Sequence, residues 1–119
     1  MTEETPLPLP VVEPTTVPAV KLFRNIEDDA DDARIAPIVD AVCSVVRGLP
    51  VAEQARGAET WPAKVKLGAT MMAARLWSRK DSPEGVASFA SDGPVYVQRN
   101  DPDVAMLLEL GDWSKPAVG

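Results

Sequence analysis

The chain has 119 residues and a hydrophobic share of 45%, which predicts one ordinary domain with a modest core. Its net charge of −6 argues against a protein that grips nucleic acid, because phosphate binding needs a surplus of lysine and arginine. There is no histidine, which removes the commonest general base and metal ligand, and the single cysteine, Cys43, cannot form an internal disulfide.

The first 18 residues carry five prolines and an acidic start with no basic signal-peptide region. Proline fixes φ and pushes the preceding residue to extended geometry, so residues 1–18 are predicted to form an extended arm. Two interpretations remain open: an arm lying along a neighbouring subunit, or a disordered tail. No apolar run approaches the roughly 20 residues that span a bilayer, so we expect no membrane association.

Residues 19–60 predict a short helical segment, an acidic run and one long helix. Residues 19–26 suit one or two helical turns, and the run of acids at 27–32 suits the start of the next helix, where Asp side chains cap free N–H groups. A calcium loop is the weaker interpretation, because the glycine of that motif is missing. Residues 33–48 repeat apolar side chains at helical spacing, with Pro37 expected to bend or delay the start and Cys43 expected to be a buried filler.

The segment 61–80 is the clearest helix, with Pro62 in its first turn. It has a main apolar face, a second apolar face of Leu67, Met71 and Ala74, and a cationic strip between them made of Lys64, Arg75 and Arg79. A chain this short has few elements to cover both faces, so we expect another copy or another protein to cover the second. The strip is predicted to be a solvated flank, or to meet phosphate or acids of a neighbouring subunit.

Beyond residue 80 the chain changes character. Gly85 and the Gly93-Pro94 pair are turn signals, and Val95 and Val97 alternate with polar neighbours, so residues 81–100 are predicted to form a short β-hairpin or projecting loop. Residues 100–110 suit a short helix capped by Asp101. In the tail, 112–119, Trp113 is either a docking anchor or part of the chain's own core.

These predictions give a mainly α fold: a small helical bundle of two long helices and a short C-terminal helix, with extended terminal arms. Residues 19–111 form the single domain. No Ser/His or Cys/His pair, phosphate loop or zinc motif occurs, so we expect no catalysis, no cofactor and no metal.

One ordered series of motifs is similar to a known family. A proline-started helix is followed by a loop and then by a second cluster near the C-terminus; the residues are Trp61-Pro62, Ala73-Ala74-Arg75-Leu76-Trp77, Arg79, Ser82-Pro83-Glu84-Gly85-Val86, Phe89, Val95-Tyr96-Val97 and Asp101-Pro102-Asp103-Val104. In order and spacing this resembles the head–tail connector (adaptor) proteins of long-tailed bacteriophages. The resemblance covers residues 61–110; Pro37 and the arm depart from the family pattern.

The resemblance implies a mainly helical virion protein of the neck, assembled in the host cytoplasm into a closed ring, usually of twelve copies. Such a ring docks under the portal and receives the stopper or another tail-side completion protein, while the genome DNA passes its channel without specific binding. The predicted contact residues are Leu67, Met71, Arg75, Arg79, Pro83, Gly85, Phe89, Tyr96 and Trp113. The alternative is a small soluble regulatory or antitoxin-like binding protein whose proline-rich arm is a ligand for a partner.

Overall fold

The computed structural model describes residues 6–79 and 83–114, and within them every regular element is helical. Five α-helices lie in these residues, together with two short 3₁₀ segments at Pro50–Ala55 and Gly111–Trp113. The helices are α1 (Val17–Arg24), α2 (Asp32–Arg47), α3 (Ala63–Ser78), α4 (Pro83–Asn100) and α5 (Pro102–Leu107). The prediction of a mainly α fold is therefore confirmed, and its β-hairpin is wrong.

Helix α3 lies at the centre of the fold, in contact with α1, α2 and α5. It buries the expected apolar face, and it also buries Ala73, Ala74 and Trp77. Small side chains on much of its surface allow neighbouring helices to approach closely. Three partner helices of the same chain thus cover more of α3 than the sequence predicted, and Ala74 of the second apolar face is part of this subunit's own core.

Helix α2 runs without a break through Pro37. A proline at the sixth helical position removes one hydrogen bond, and packing of the apolar face offsets this loss. The predicted side-chain cap is absent: Asp31 occupies the cap position without making a cap hydrogen bond. Its neighbours Asp29 and Asp32 instead bind the Lys21 ammonium at 2.7 and 2.9 Å. The acidic run therefore ties α1 to α2.

Helix α4 occupies the segment that was predicted to be a β-hairpin or a projecting loop, and its described residues are neither. Phe89, Gly93 and Val97 are buried at a spacing of four residues, which is a helical and not a strand repeat. Gly93 serves close packing, since a Cβ there would lie 3.0 Å from a methyl group of Val45. The helix is kinked at Asp92, where φ is −149° and ψ is 46°, so the following proline starts a new helical stretch and needs no donor.

The described part of the proline-rich arm packs against its own chain. The Gly57 N–H donates to the Pro8 carbonyl at 2.9 Å, and the Trp61 indole N–H donates to the Val12 carbonyl at 2.8 Å. Thr16 then caps α1 with its side chain. Residues 6–16 thus lie along the chain's own α2 and α3, an arrangement that neither sequence interpretation anticipated. Residues 1–5 of the arm and 115–119 of the tail lie outside the described residues.

Candidate interaction surfaces

The cationic strip of α3 is covered by the C-terminal segment of the same chain. The Asp101 carboxylate is almost fully buried, and Arg79 donates to both of its oxygens, at 2.9 and 3.0 Å. Arg75 donates to the same carboxylate at 3.2 Å and forms a bidentate salt bridge with Asp103. The acidic partners of both arginines are therefore in their own subunit, not across a joint between subunits as predicted.

The ion pairs hold Arg75, Arg79 and Asp103 in their charged forms. The hydrogen bond from Arg75 lowers the pKa of Asp103 to about 2, and the hydrogen bond with Asp101 raises the pKa of Arg79. Arg79 also donates to the Tyr96 hydroxyl at 3.1 Å, and its guanidinium lies 5.8 Å from the centre of that ring. The cluster therefore fastens α3 to both α4 and α5, and it leaves neither arginine as a free phosphate ligand.

The other end of the strip has the same role. The Lys64 ammonium binds the Glu109 carboxylate, and Gly68 lies directly beneath α5. A Cβ at position 68 would come within 2.9 Å of the Leu108 side chain and 3.2 Å of the Leu107 Cβ. Because only glycine leaves this space, α5 can lie flat on α3. The cationic strip is therefore the surface of α3 on which the C-terminal helix α5 packs.

What remains exposed on α3 is a short line of side chains, which we name the α3 ridge: Lys66, Leu67 and Met71. Leu67 is 45% exposed and Met71 is half-buried, packed partly on its own core. Lys66 is exposed and has no salt bridge to another described residue. Of the predicted second apolar face, Leu67 and part of Met71 are thus available to a partner.

The other predicted contact residues divide into buried and exposed ones. Phe89 is fully buried, with its ring edge-on to Tyr96 at 6.2 Å between centroids, so it supports the fold and does not face a partner. Trp113 is 52% exposed at the end of the chain's last 3₁₀ segment, so much of its ring remains outside the core. Pro83 and Gly85 belong to the first turn of α4, and the burial of both residues lies outside what the structure describes.

A further surface escaped the sequence predictions. An open groove of about 680 Å³ lies between α1 and α2, with apolar lining side chains and an acidic rim; we name it the α1–α2 groove. Leu22 lines it and is 81% exposed. The sequence carried one signal for it: Val20, Leu22, Phe23 and Ile26 are more apolar side chains than one face of so short a helical segment can bury. In the structure Val20 is buried, while Leu22 and Phe23 are exposed.

Cys43 is buried, as expected, and its thiol donates to the Thr15 carbonyl at 3.3 Å. Desolvation raises the pKa of this thiol to about 11, so it has little thiolate character at neutral pH. Within residues 6–79 and 83–114, no three Cys, Asp or Glu side chains are grouped so that they could hold a metal ion. None of the described helices combines the length and the apolar character needed to cross a membrane.

Comparison of the chain with protein-family models, with curated proteins and with solved structures gives no match.

Proposed function

We propose that this chain is a structural subunit of a phage head–tail connector, which joins the portal to the stopper or another tail-side protein as a closed ring around the DNA channel. The role is one of assembly, with no catalysis and no cofactor. Its place is the neck of the virion, and its partners are further copies of itself, the portal and the tail-side protein.

The observation that carries the proposal is the way in which the two halves of the motif series meet. Arg75 and Arg79 come from the first half, and Asp101 and Asp103 come from the second, more than twenty residues later. In the folded chain the four form one ion-pair cluster at the junction of α3 and α5. Residues that resemble the family pattern in sequence thus act together as one structural unit, which supports treating the series as a single motif.

The distribution of exposed groups also supports an assembly role. Large apolar side chains are exposed at several separate places, including the α3 ridge, the α1–α2 groove and Trp113. A subunit of a closed ring that also meets two different neighbouring rings needs several distinct contact surfaces. The antitoxin-like alternative is less well supported, because Leu7, Pro8 and Val12 of the arm that would bind its partner are hydrogen-bonded to their own chain.

The test is electron microscopy of purified virions in which this chain carries a gold label at its C-terminus. We expect the label at the neck, between capsid and tail. Complete virions that lack the chain would refute the proposal.

A matched pair of variants separates docking from folding. Deleting residues 112–119 removes the exposed Trp113 and should leave the circular dichroism native while lowering incorporation into virions. Leu76→Asp places a charge at a site that is 1% exposed and should prevent folding altogether. Normal virion assembly by the truncated chain would exclude the tail as a docking element.

A further inference from the structure

The α1–α2 groove combines apolar lining residues with an excess of acid. Leu22 and Ile26 are two of its apolar lining residues, and three carboxylates line it against one lysine, a balance of 1 − 3 = −2. That lysine, Lys21, is held at 2.7 Å by Asp29 and at 2.9 Å by Asp32, so it neutralises charge inside the groove and is not displayed to a partner. A segment that fills this groove should be apolar with a positive charge at its side.

The α3 ridge has the complementary character. Leu67 projects an exposed aliphatic side chain, Met71 adds a flexible one, and Lys66 stands beside them with no described carboxylate to neutralise it. Most of the basic side chains in the described part of the chain are already committed to salt bridges with its own acids. Among the described basic side chains, Lys66, Arg24 and Arg99 form no salt bridge with a described residue, and Lys66 stands next to the exposed Leu67.

We propose that the α1–α2 groove of one copy receives the α3 ridge of a second copy. Leu67 and Met71 enter the groove beside Leu22, and Lys66 faces the acidic rim at Glu27. The two surfaces lie on different helices, so after one contact forms the copy that gave its groove still has its ridge free and the other copy still has its groove free. The contact can therefore repeat from copy to copy. This inference rests on the proposed function in one respect only, namely that the repeated contacts between copies close into a ring.

The experiment uses disulfide formation between copies of the full chain. One variant carries Leu22→Cys and another carries Leu67→Cys; the native Cys43 is buried and stays out of the reaction. The control pairs Leu22→Cys with Val95→Cys, since Val95 is 43% exposed and lies on neither surface. At about 0.1 mM protein, docking at an effective concentration of about 1 mM should make the 22–67 bridge form roughly tenfold faster than the 22–95 bridge.

Charge reversal then tests the role of Lys66. Adding Lys66→Glu to the Leu67→Cys variant should bring the 22–67 bridging rate down toward the 22–95 control rate. Adding Glu27→Lys to its Leu22→Cys partner should restore the rate, because both exposed groups then have opposite signs again. Circular dichroism of each variant checks that the fold is kept.

Three results would overturn the proposal. The first is equal rates for the 22–67 and 22–95 bridges, and the second is no recovery of the rate with both charges reversed. The third is that the portal protein, and not a second copy of the chain, protects the Leu22→Cys thiol from an alkylating reagent.

Failure of this proposal is distinct from failure of the proposed function. Virions with the label at the neck but control-level bridging would keep the connector role and place the ring contact elsewhere. Fast bridging without the chain in virions would keep this contact and refute the connector role.

Discussion

Asp101→Asn is the substitution that tests most directly how the C-terminal helix is held. Asp101 is buried, and its two oxygens accept three hydrogen bonds from Arg75 and Arg79. The amide keeps the shape of the carboxylate but removes its charge and turns an NH₂ group toward guanidinium donors. The guanidinium groups of Arg75 and Arg79 then lose the negative charge of the Asp101 carboxylate.

The expected loss follows from the burial of the three groups. Breaking a buried ion pair by removing one partner costs about 3–5 kcal/mol. Both arginine side chains are about one-third exposed, so water recovers part of that cost, and we expect a loss of about 2–3 kcal/mol. For 119 residues the unfolding entropy is about 0.25 kcal/mol per kelvin, so Tm should fall by about 8–12 °C.

The assay is thermal and urea unfolding followed by circular dichroism, with Asp103→Asn as the matched control. Asp103 pairs with the same Arg75 but is about half exposed, so its loss should stay below about 1 kcal/mol. If Asp101→Asn is no more destabilising than Asp103→Asn, burial does not set the strength of this cluster and the reasoning is wrong.

Three further predictions concern pH, packing and the thiol. The pKa of Asp103 in the folded chain lies below its ordinary value near 3.8, so its contribution to the free energy of unfolding is present above pH 3.8 and is lost as the pH falls through about 2. Asp103→Asn should therefore flatten the decline in stability over this pH range, measured by urea unfolding. An unchanged slope would contradict the pairing of Asp103 with Arg75. Gly68→Val should cost about 1–3 kcal/mol by pushing α5 off α3, while Lys66→Val on the exposed side should change urea stability by less than about 0.5 kcal/mol. Cys43 should resist a thiol reagent at neutral pH until urea unfolds the chain, and rapid labelling of the native protein would show that the site is open.

The local sequence pattern correctly predicted features that depend on apolar side chains recurring along one face of a helix. The apolar spacing from Val65 to Leu76 predicted the main face of α3, and all of its central members are buried. The small size of Cys43 and the absence of histidine predicted a filler with no base beside it, and the thiol is buried with a raised pKa. These features depend on residues close in sequence, and the helical period shows directly which of them share a face.

The α4 segment shows where local signals mislead. Gly93 and Pro94 favour a turn when taken alone, and the valines at 95 and 97 alternate as in a strand. In the fold, Gly93 is the point at which α4 contacts Val45 of α2, and Pro94 begins the second half of a kinked helix. A glycine needed for close packing and a glycine needed for a turn look the same in a sequence, because only the neighbour across the contact distinguishes them.

For the candidate contact surfaces, too, the sequence predicted one part and the tertiary structure decided the rest. The sequence by itself determined that the chain is mainly helical and that Leu67 and Met71 lie on a different face of α3 from its main core contacts. Only the tertiary structure decided that Arg75 and Arg79 bind acids of their own chain, and that an open groove lined by apolar and acidic side chains lies between α1 and α2. The physical reason is that an arginine finds its partner across more than twenty residues of chain, through the way α5 packs on Gly68, and no local spacing records that packing.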